Sequence, residues 1–466
     1  MTLRLSLLLL ISVVLPTHAA QIFRAGAAVV DVTPTKLPVR TAGSIRETWK
    51  SEITDRLNVR CLVMDDGREK VAIATVDTCL MGRQMLDQAK AIATKTTGIP
   101  AANMMISATH AHSAPAVHPA HGTEPHPDYR LFLTGKIADA IKAAHENLRP
   151  AQVGWGVGKC EEYVFCRRWL MKPGTAFSIP FTDAKTNLAQ MNPGNANKNK
   201  IRATGPADPS VTVLMVRDRN GRPISVLGNY STHYAGAPGI SADYFGVYAD
   251  EMAKQLGAPK DFVGLLNNGA SGDANCNDVR SEKRKKYDRF IVAKAVVDAS
   301  MDAIKNMKFH DWVPVRAAEI ELGLKVRKPS AAEVAEAKTY LAKNVGDRPI
   351  KSWPENYARE TVLLAAWGDI HKFKLQAFRV GDFGVAAAPC ELYGITGLKI
   401  KADSPFTPTM VVGLANGYSG YLPPPDQFQY GGYTTWRART SMLEHNAEPV
   451  IREKLGQLLT QLSVSK

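Results

Sequence analysis

The strongest constraint on the fold is the way two kinds of apolar run alternate along the chain. Short runs of strand character fall at AAVVDV (27–32), NVRCLVM (58–64), KVAIATVD (70–77), MMISAT (104–109), VTVLMVR (211–217), PISVLGNY (223–230) and FGVAAAP (383–389). Amphipathic stretches at 83–96, 130–147, 245–256, 282–306, 331–344 and 441–462 predict helices. Strands interleaved with helices of that length predict an α/β architecture of mixed β-sheets packed with helices. DRNGRP (218–223) joins two of the strands, and Asn-Gly favours the positive-φ turn of a hairpin, so at least one pair is antiparallel. No repeat or low-complexity linker interrupts the pattern. The polar stretch 172–210 is long for a loop in a compact chain, which predicts a functional or mobile segment. GYSGYLPPPDQFQYGGYTTW (417–436), crowded with Tyr, Pro and Gly, has the composition of a loop near a site.

The chain opens MTLRLSLLLLISVVLPTHAAQ, with Arg4, an apolar run from Leu5 to Leu15, Pro16, and the small residues Ala19 and Ala20. That is the layout of a cleaved signal peptide, expected over 1–20, and the run is short of the roughly 20 residues that span a bilayer. The mature chain, 21–466, is therefore expected to be secreted or periplasmic and to form one domain. Its formal charge is +14, or +13 once Arg4 is removed. Basic residues cluster in NANKNKIR (195–202) and RSEKRKKYDR (280–289), which read as solvated surface or as attraction to an anionic membrane surface. An exported chain without a recognition motif is not expected to bind nucleic acid. The six cysteines contain no CxxC pair, which argues against a cysteine zinc site, and leave a Cys160–Cys166 bridge open.

Chemistry concentrates in ISATHAHSAPAVHPAHG (106–122), which holds His110, His112, His118 and His121, with His126 just beyond. If the extended backbone continued through residue 112, His110 and His112 would share one face. Two such imidazoles can share a metal ion, or one can bind it while the other moves protons; two hydrogen-bonded loop histidines are the plainer alternative. Further ligands must come from elsewhere. His233 follows a strand in GNYSTHYAG, and Glu391 in PCELYGITG follows an apolar strand and opens an expected helix. In LLNNGASGDANCND (265–278) a strand runs into small residues and Asp273, without a P-loop, a dinucleotide fingerprint or a GxSxG elbow.

Taken in order, these segments resemble the catalytic domain of the neutral/alkaline, non-lysosomal ceramidases. AGAAVVDVTPT (25–35) is similar to that family's "aGvgvaDITPP", SATHAHSAP to "SGTHTHSGP", NNGASGDANCN to "NLGDVSPN", PCELYGITG to "GEFTTMAG", and ANGYSGYLPPPDQFQYGGYTTW to "NaYagYvtTpEEYaaQrYEGAS". The resemblance implies a zinc-dependent amidase that splits the N-acyl bond of ceramide, with His110, His233, Glu391 and Tyr421 as zinc ligands. It implies His112 as a catalytic histidine, Arg167 (or Arg168) as the site arginine, and Tyr433 (or Tyr430) as a second site tyrosine. Asp273 and Asn275 fall on a substrate-contacting segment, with Asn275 where the family carries a serine and Ser271 and Cys276 close by. The family's C-terminal immunoglobulin-like domain is expected to be absent, and 172–210 matches poorly.

The implied chemistry is zinc-activated water attacking an amide of ceramide or a related lipid, with His112 handling protons and Arg167 and Tyr433 stabilising the oxyanion. Three alternatives stay open: a zinc hydrolase of the same fold acting on a small non-lipid substrate such as an N-acylated sugar or amino acid, a non-catalytic surface-binding homologue, and a cysteine hydrolase using Cys276.

Overall fold

In the computed structural model of the chain, residues 21–465 are described; the signal-peptide expectation for 1–20 lies outside them. The main sheet contains β1 (Arg24–Asp31), β2 (Asn58–Asp65), β3 (Lys70–Val76), β4 (Met104–Ala108), β5 (Arg149–Lys159), β6 (Ser210–Asp218), β7 (Pro223–Tyr230) and β8 (Val263–Asn268). Their order is β8-β7-β6-β5-β1-β2-β3-β4, and the short strand Phe309–His310 adds a ninth member against β5. The edge pairs β7–β8 and β3–β4 are parallel and the pairs between them antiparallel, so the sheet is mixed. The Asn-Gly hairpin joins β6 to β7 as expected.

A second sheet, β9 (Val315–Lys325), β10 (Ile370–Val380), β11 (Phe383–Ala387) and β12 (Thr409–Val412), lies against one face of the first. Period-two alternation sorts the core between the faces. Leu62, Met64, Leu214 and Val216 pack against Phe378, Val385 and Met410 of the second sheet. Their neighbours Val59, Cys61 and Val63 pack under α1 (Arg83–Thr97) and α2 (Pro127–Glu146). Val211, Val213 and Met215 pack under α3 (Asp243–Gln255) and α4 (Arg289–Lys305). Further helices are α5 (Ala331–Asn344), α6 (Trp353–Ala365), α7 (Gly394–Asp403) and α8 (Ala447–Val464); on the far side of the second sheet, α8 buries Ile451, Leu455, Leu459 and Leu462. The layers are therefore helix, sheet, sheet, helix.

Three features depart from the sequence expectation. The α4 helix begins at Arg289, because the Asp288 side chain accepts from the N–H groups of Phe290 and Ile291 and caps it there; most of the basic cluster precedes the cap. The α6 helix (Trp353–Ala365) was not anticipated, although Ser352, Pro354 and Glu355 spell an N-terminal signal and Ser352 Oγ accepts from Glu355 N. A Cys160–Cys166 bridge does not form, and all six cysteines are buried free thiols. Cys160 packs beneath α3 and α4, whereas Cys166 donates to the Arg168 carbonyl from a short strand paired with Ala274–Asn275.

The β5 strand also escaped the sequence reading, because glycines interrupt its apolar pattern. Gly154, Gly156 and Gly158 share one face, and α4 lies directly on them through Ala299, Ala303 and the turn at Met307. A Cβ on Gly158 would fall 1.9 Å from the Ala299 carbonyl oxygen, which is helix backbone and cannot swing away. Gly158→Ala should therefore destabilise the chain by about 2–3 kcal/mol through overpacking, read as a lower urea midpoint at unchanged m-value.

Candidate metal centre

Three strand ends converge on one point. His110 follows β4, His233 follows β7, and Glu391 follows β11. The main sheet curls until its edges meet there, where Asn267 of β8 binds Ser107 of β4 (3.0 Å) and Thr75 of β3. Glu391–Leu392 forms a two-residue parallel pair with Tyr421–Leu422, and Glu391 and Tyr421 are direct register partners. Glu391 therefore sits on a short strand, and the helix expected at that point starts only at Gly394. The strand leading to the histidine pair stops at Ala108, and His110 takes a left-handed φ of 71°. A backbone kink brings His110 and His112 together, with Nε2 atoms 3.1 Å apart; the pleat does not.

The protonation of the cluster follows from its partners. His110 Nδ1 lies 3.1 Å from the Cys79 carbonyl oxygen and His233 Nδ1 lies 2.7 Å from that of Ser271. Carbonyls only accept, so both rings carry their proton on Nδ1 and present a bare Nε2. Those two Nε2 atoms are 3.1 Å apart. Glu391 Oε2 lies 3.5 and 3.4 Å from them and, although buried, has no hydrogen-bond partner among the described residues. Three buried acceptors facing one another repel unless a cation lies among them. Their separations match the roughly 3.3 Å edges set by tetrahedral metal–ligand bonds of about 2.0–2.1 Å. Without a metal ion, the nearest substitute is a proton. Burial opposes protonation of His110, yet Cys79 and Glu391 lift its pKa to about 10. Burial and Arg167 press His233 down to about 3, and burial, His110 and His233 hold His112 well below its ordinary value.

The remaining site residues are arranged around this cluster. Arg167 Nη2 donates to His233 Nε2 (2.8 Å), the Gly272 carbonyl (2.9 Å) and the Tyr421 hydroxyl (3.3 Å). Arg168 is directed elsewhere, onto Gln427. Tyr433 packs edge-on to Tyr421 with ring centres 5.5 Å apart. A cavity of about 510 Å³ opens above, lined by His112, Arg167, His233, Tyr421 and Tyr433, with aromatic walls from Tyr234, Phe177, Trp353 and Trp436; Tyr430 does not line it. Phe177, Gln190 and Asn192 bring the stretch 172–210 into that wall, held by strands Ala189–Met191 and Lys200–Ala203 on either side of Arg168–Met171.

Two expected substrate contacts lie off the cavity. Asp273 is buried beneath it, its Oδ1 accepting from Gly394 N (2.8 Å) and its carbonyl from Arg167 N (2.7 Å), and burial raises its pKa to about 6. It is a strut for Arg167. Asn275 spends its amide on Asn192 (2.7 Å). Cys276 does not line the cavity either, and burial pushes its thiol up to about 12, which leaves no thiolate for a cysteine hydrolase.

Two contributors escaped the sequence reading. Asn356 of α6 donates to His121 Nδ1 (3.1 Å), so His121 carries its proton on Nε2 and donates it to the Tyr433 hydroxyl (3.1 Å). That leaves the hydroxyl proton of Tyr433 for the cavity side. Gly43, at φ 94°, presses on His112, and a Cβ there would fall 2.1 Å from His112 Nδ1. His112 is clasped between this glycine and Tyr234, which stacks on it at 3.9 Å. Only the serine–proline–glutamate signal of α6 could have pointed to His121's partner.

No family model and no curated protein matches the sequence. Solved structures do. The crystal structure of neutral ceramidase from Pseudomonas aeruginosa superposes with a TM-score of 0.69 at 13% identity, covering 95% of this chain and 74% of that one. A ceramidase complexed with C2 superposes with the same TM-score at 14% identity, covering 95% and 75%. The chain thus has a neutral ceramidase-like fold, and within it His110, His233 and Glu391 form a buried group able to hold a metal ion.

Metal entry must displace the His110 proton. Because that proton is held up to a pH of about 10, zinc affinity measured against a chromophoric chelator should rise with pH below that value, about tenfold per unit if one proton leaves. Glu391→Gln should weaken zinc binding and flatten that slope.

Proposed function

We propose that this chain is an exported, zinc-dependent amidohydrolase that cleaves the N-acyl bond of ceramide or a related lipid, working as a single domain over 21–466. The observation that carries the reading is the buried trio of His110 Nε2, His233 Nε2 and Glu391 Oε2, within 3.5 Å of one another at the foot of an aromatic cavity. Two imidazoles and a carboxylate, with the Tyr421 phenol beside them, are a donor set suited to zinc. The likeness to neutral ceramidase supports the choice of an amide substrate. A basic chain, +13 over 21–466, favours approach to an anionic lipid surface.

When bound, zinc supplies Lewis acidity to a carbonyl and brings the pKa of water toward ~7. The chain's own residues do the rest. His112, kept neutral beside the cluster, accepts a proton at the start of the reaction and returns it to the departing amine. Arg167 and Tyr433 are preorganised donors for the carbonyl oxygen as it gains negative charge. His121 holds the Tyr433 hydroxyl with its proton toward the cavity. The aromatic walls exclude water and hold the apolar body of the substrate.

A second reading keeps the chemistry and changes the substrate. Gln190 and Asn192 give the cavity wall amide groups that alkyl chains would not use, which suits a small N-acylated sugar or amino acid. A chelator-controlled hydrolysis screen of ceramides against short N-acyl compounds decides between them. Turnover of ceramides supports the lipid reading, turnover of polar amides alone supports the second, and zinc binding without turnover of either rejects both. His112→Ala should lower kcat by roughly 10²–10⁴-fold and Tyr433→Phe by roughly 10²-fold, each with zinc content unchanged. Gly43→Ala should reproduce the His112→Ala defect, since it pushes the ring aside.

A further inference from the structure

A second cavity, of about 390 Å³, lies behind the metal cluster, between the start of α1, the histidine-rich loop, α2 and the strand β10. Tyr418 forms the partition. Its ring meets His118 edge-on at 5.6 Å on the cavity side, and its hydroxyl donates to Glu391 Oε1 (3.1 Å) on the metal side. Among the described residues no carboxylate lines this cavity, whereas Arg83, Arg130, Lys372 and Arg439 all do. The acids that pair with the lining arginines are Asp87 and Glu321 on Arg83 and Glu360 on Arg439. Arg439 uses Nε and Nη2 on Glu360, and its Nη1 has no hydrogen-bond partner among the described residues. The side chains of Arg130 and Lys372 make no hydrogen bond or salt bridge among the described residues.

Two histidines add neutral donors. His371 Nε2 pairs with Ser419 Oγ at 3.0 Å, and His118 has no hydrogen-bond partner among the described residues. Burial lowers His118 to about 3, with Arg439 and Arg130 adding to the effect, and burial with Arg83 lowers His371 to about 4. Both shifts come first from burial, and the neighbouring guanidinium groups push in the same direction. Trp367, Phe373 and Met442 contribute apolar wall, and Trp367 is 37% exposed beside the exposed Lys372, which marks the mouth.

We propose that this cavity is a binding site for a small organic anion, whose carboxylate, phosphate or sulfate group meets Arg130, Lys372 and Arg439 while its apolar body lies against Trp367. Guanidinium forks match oxyanions geometrically, and a pocket of this size suits a small ligand. The site is separate from the metal cavity and does not depend on the amidase reading.

Calorimetric titration of the full chain with phenyl phosphate, benzoate and inorganic phosphate tests it. Saturable binding is expected, tighter for phenyl phosphate than for inorganic phosphate, and tighter binding of benzoate would instead assign a carboxylate ligand. Arg130→Ala with Lys372→Ala should weaken it at least about tenfold while the unliganded melting temperature stays put. His112→Ala should leave it unchanged. No saturation by any of the three anions would overturn the proposal. So would binding that the double variant retains, or binding that His112→Ala abolishes, since the anion would then belong to the metal cavity.

Discussion

Everything around the site answers to one electrostatic constraint: three atoms that each demand a cation or a proton, His110 Nε2, His233 Nε2 and Glu391 Oε2, are held within 3.5 Å of one another in a buried place. Left alone such a cluster would spread apart. It is kept together by fixing what lies behind each atom. The Cys79 and Ser271 carbonyls orient the two imidazoles through Nδ1, and Tyr418 holds the far oxygen of Glu391. These second contacts set the direction of every lone pair, as they do wherever histidine ligates metal.

The architecture serves the same end. His110 and His233 follow strands near opposite edges of the main sheet, and Glu391 comes from the other sheet. Only a curled sheet can bring its edges together, and Asn267 pins that closure with Ser107 and Thr75. Close seating of α4 on the glycine face of β5 lets the helical layer follow the curl. The stretch 172–210 then adds Phe177, Gln190 and Asn192 to a cavity wall whose other aromatic rings are Tyr234, Trp353 and Trp436.

Much of this was legible in the residues. The apolar alternation placed the strands from β1 to β4 and the hairpin of β6 and β7, and the mixed α/β class followed. Other parts were hidden for physical reasons. Glycines erased the pattern of β5, and the polar faces of β9 and β10 blurred theirs. The pairing of His110 with His112 was anticipated from a pleat but arises from a left-handed residue, which no periodicity reveals. Asp273 was read as a contact and is a strut, because a carboxylate after a strand looks alike in either role. The loop histidines carry no spacing that tells them apart: His121 backs Tyr433, His118 faces the second cavity, and His126 accepts from the Arg40 amide.

The two-residue pairing of Glu391 with Tyr421 has a consequence for how the chain reaches its native state. Side chains on a strand alternate, so a slip of one residue would present Leu392 or Cys390 in place of Glu391. The carboxylate and the phenol therefore arrive together or fail together. So short a ladder has little hydrogen bonding with which to choose its own alignment. The contacts made by the two side chains, Glu391 with Tyr418 and Tyr421 with Arg167, are what reward the correct alignment over the slipped one, so that the cluster itself sets the register of the strands that carry it.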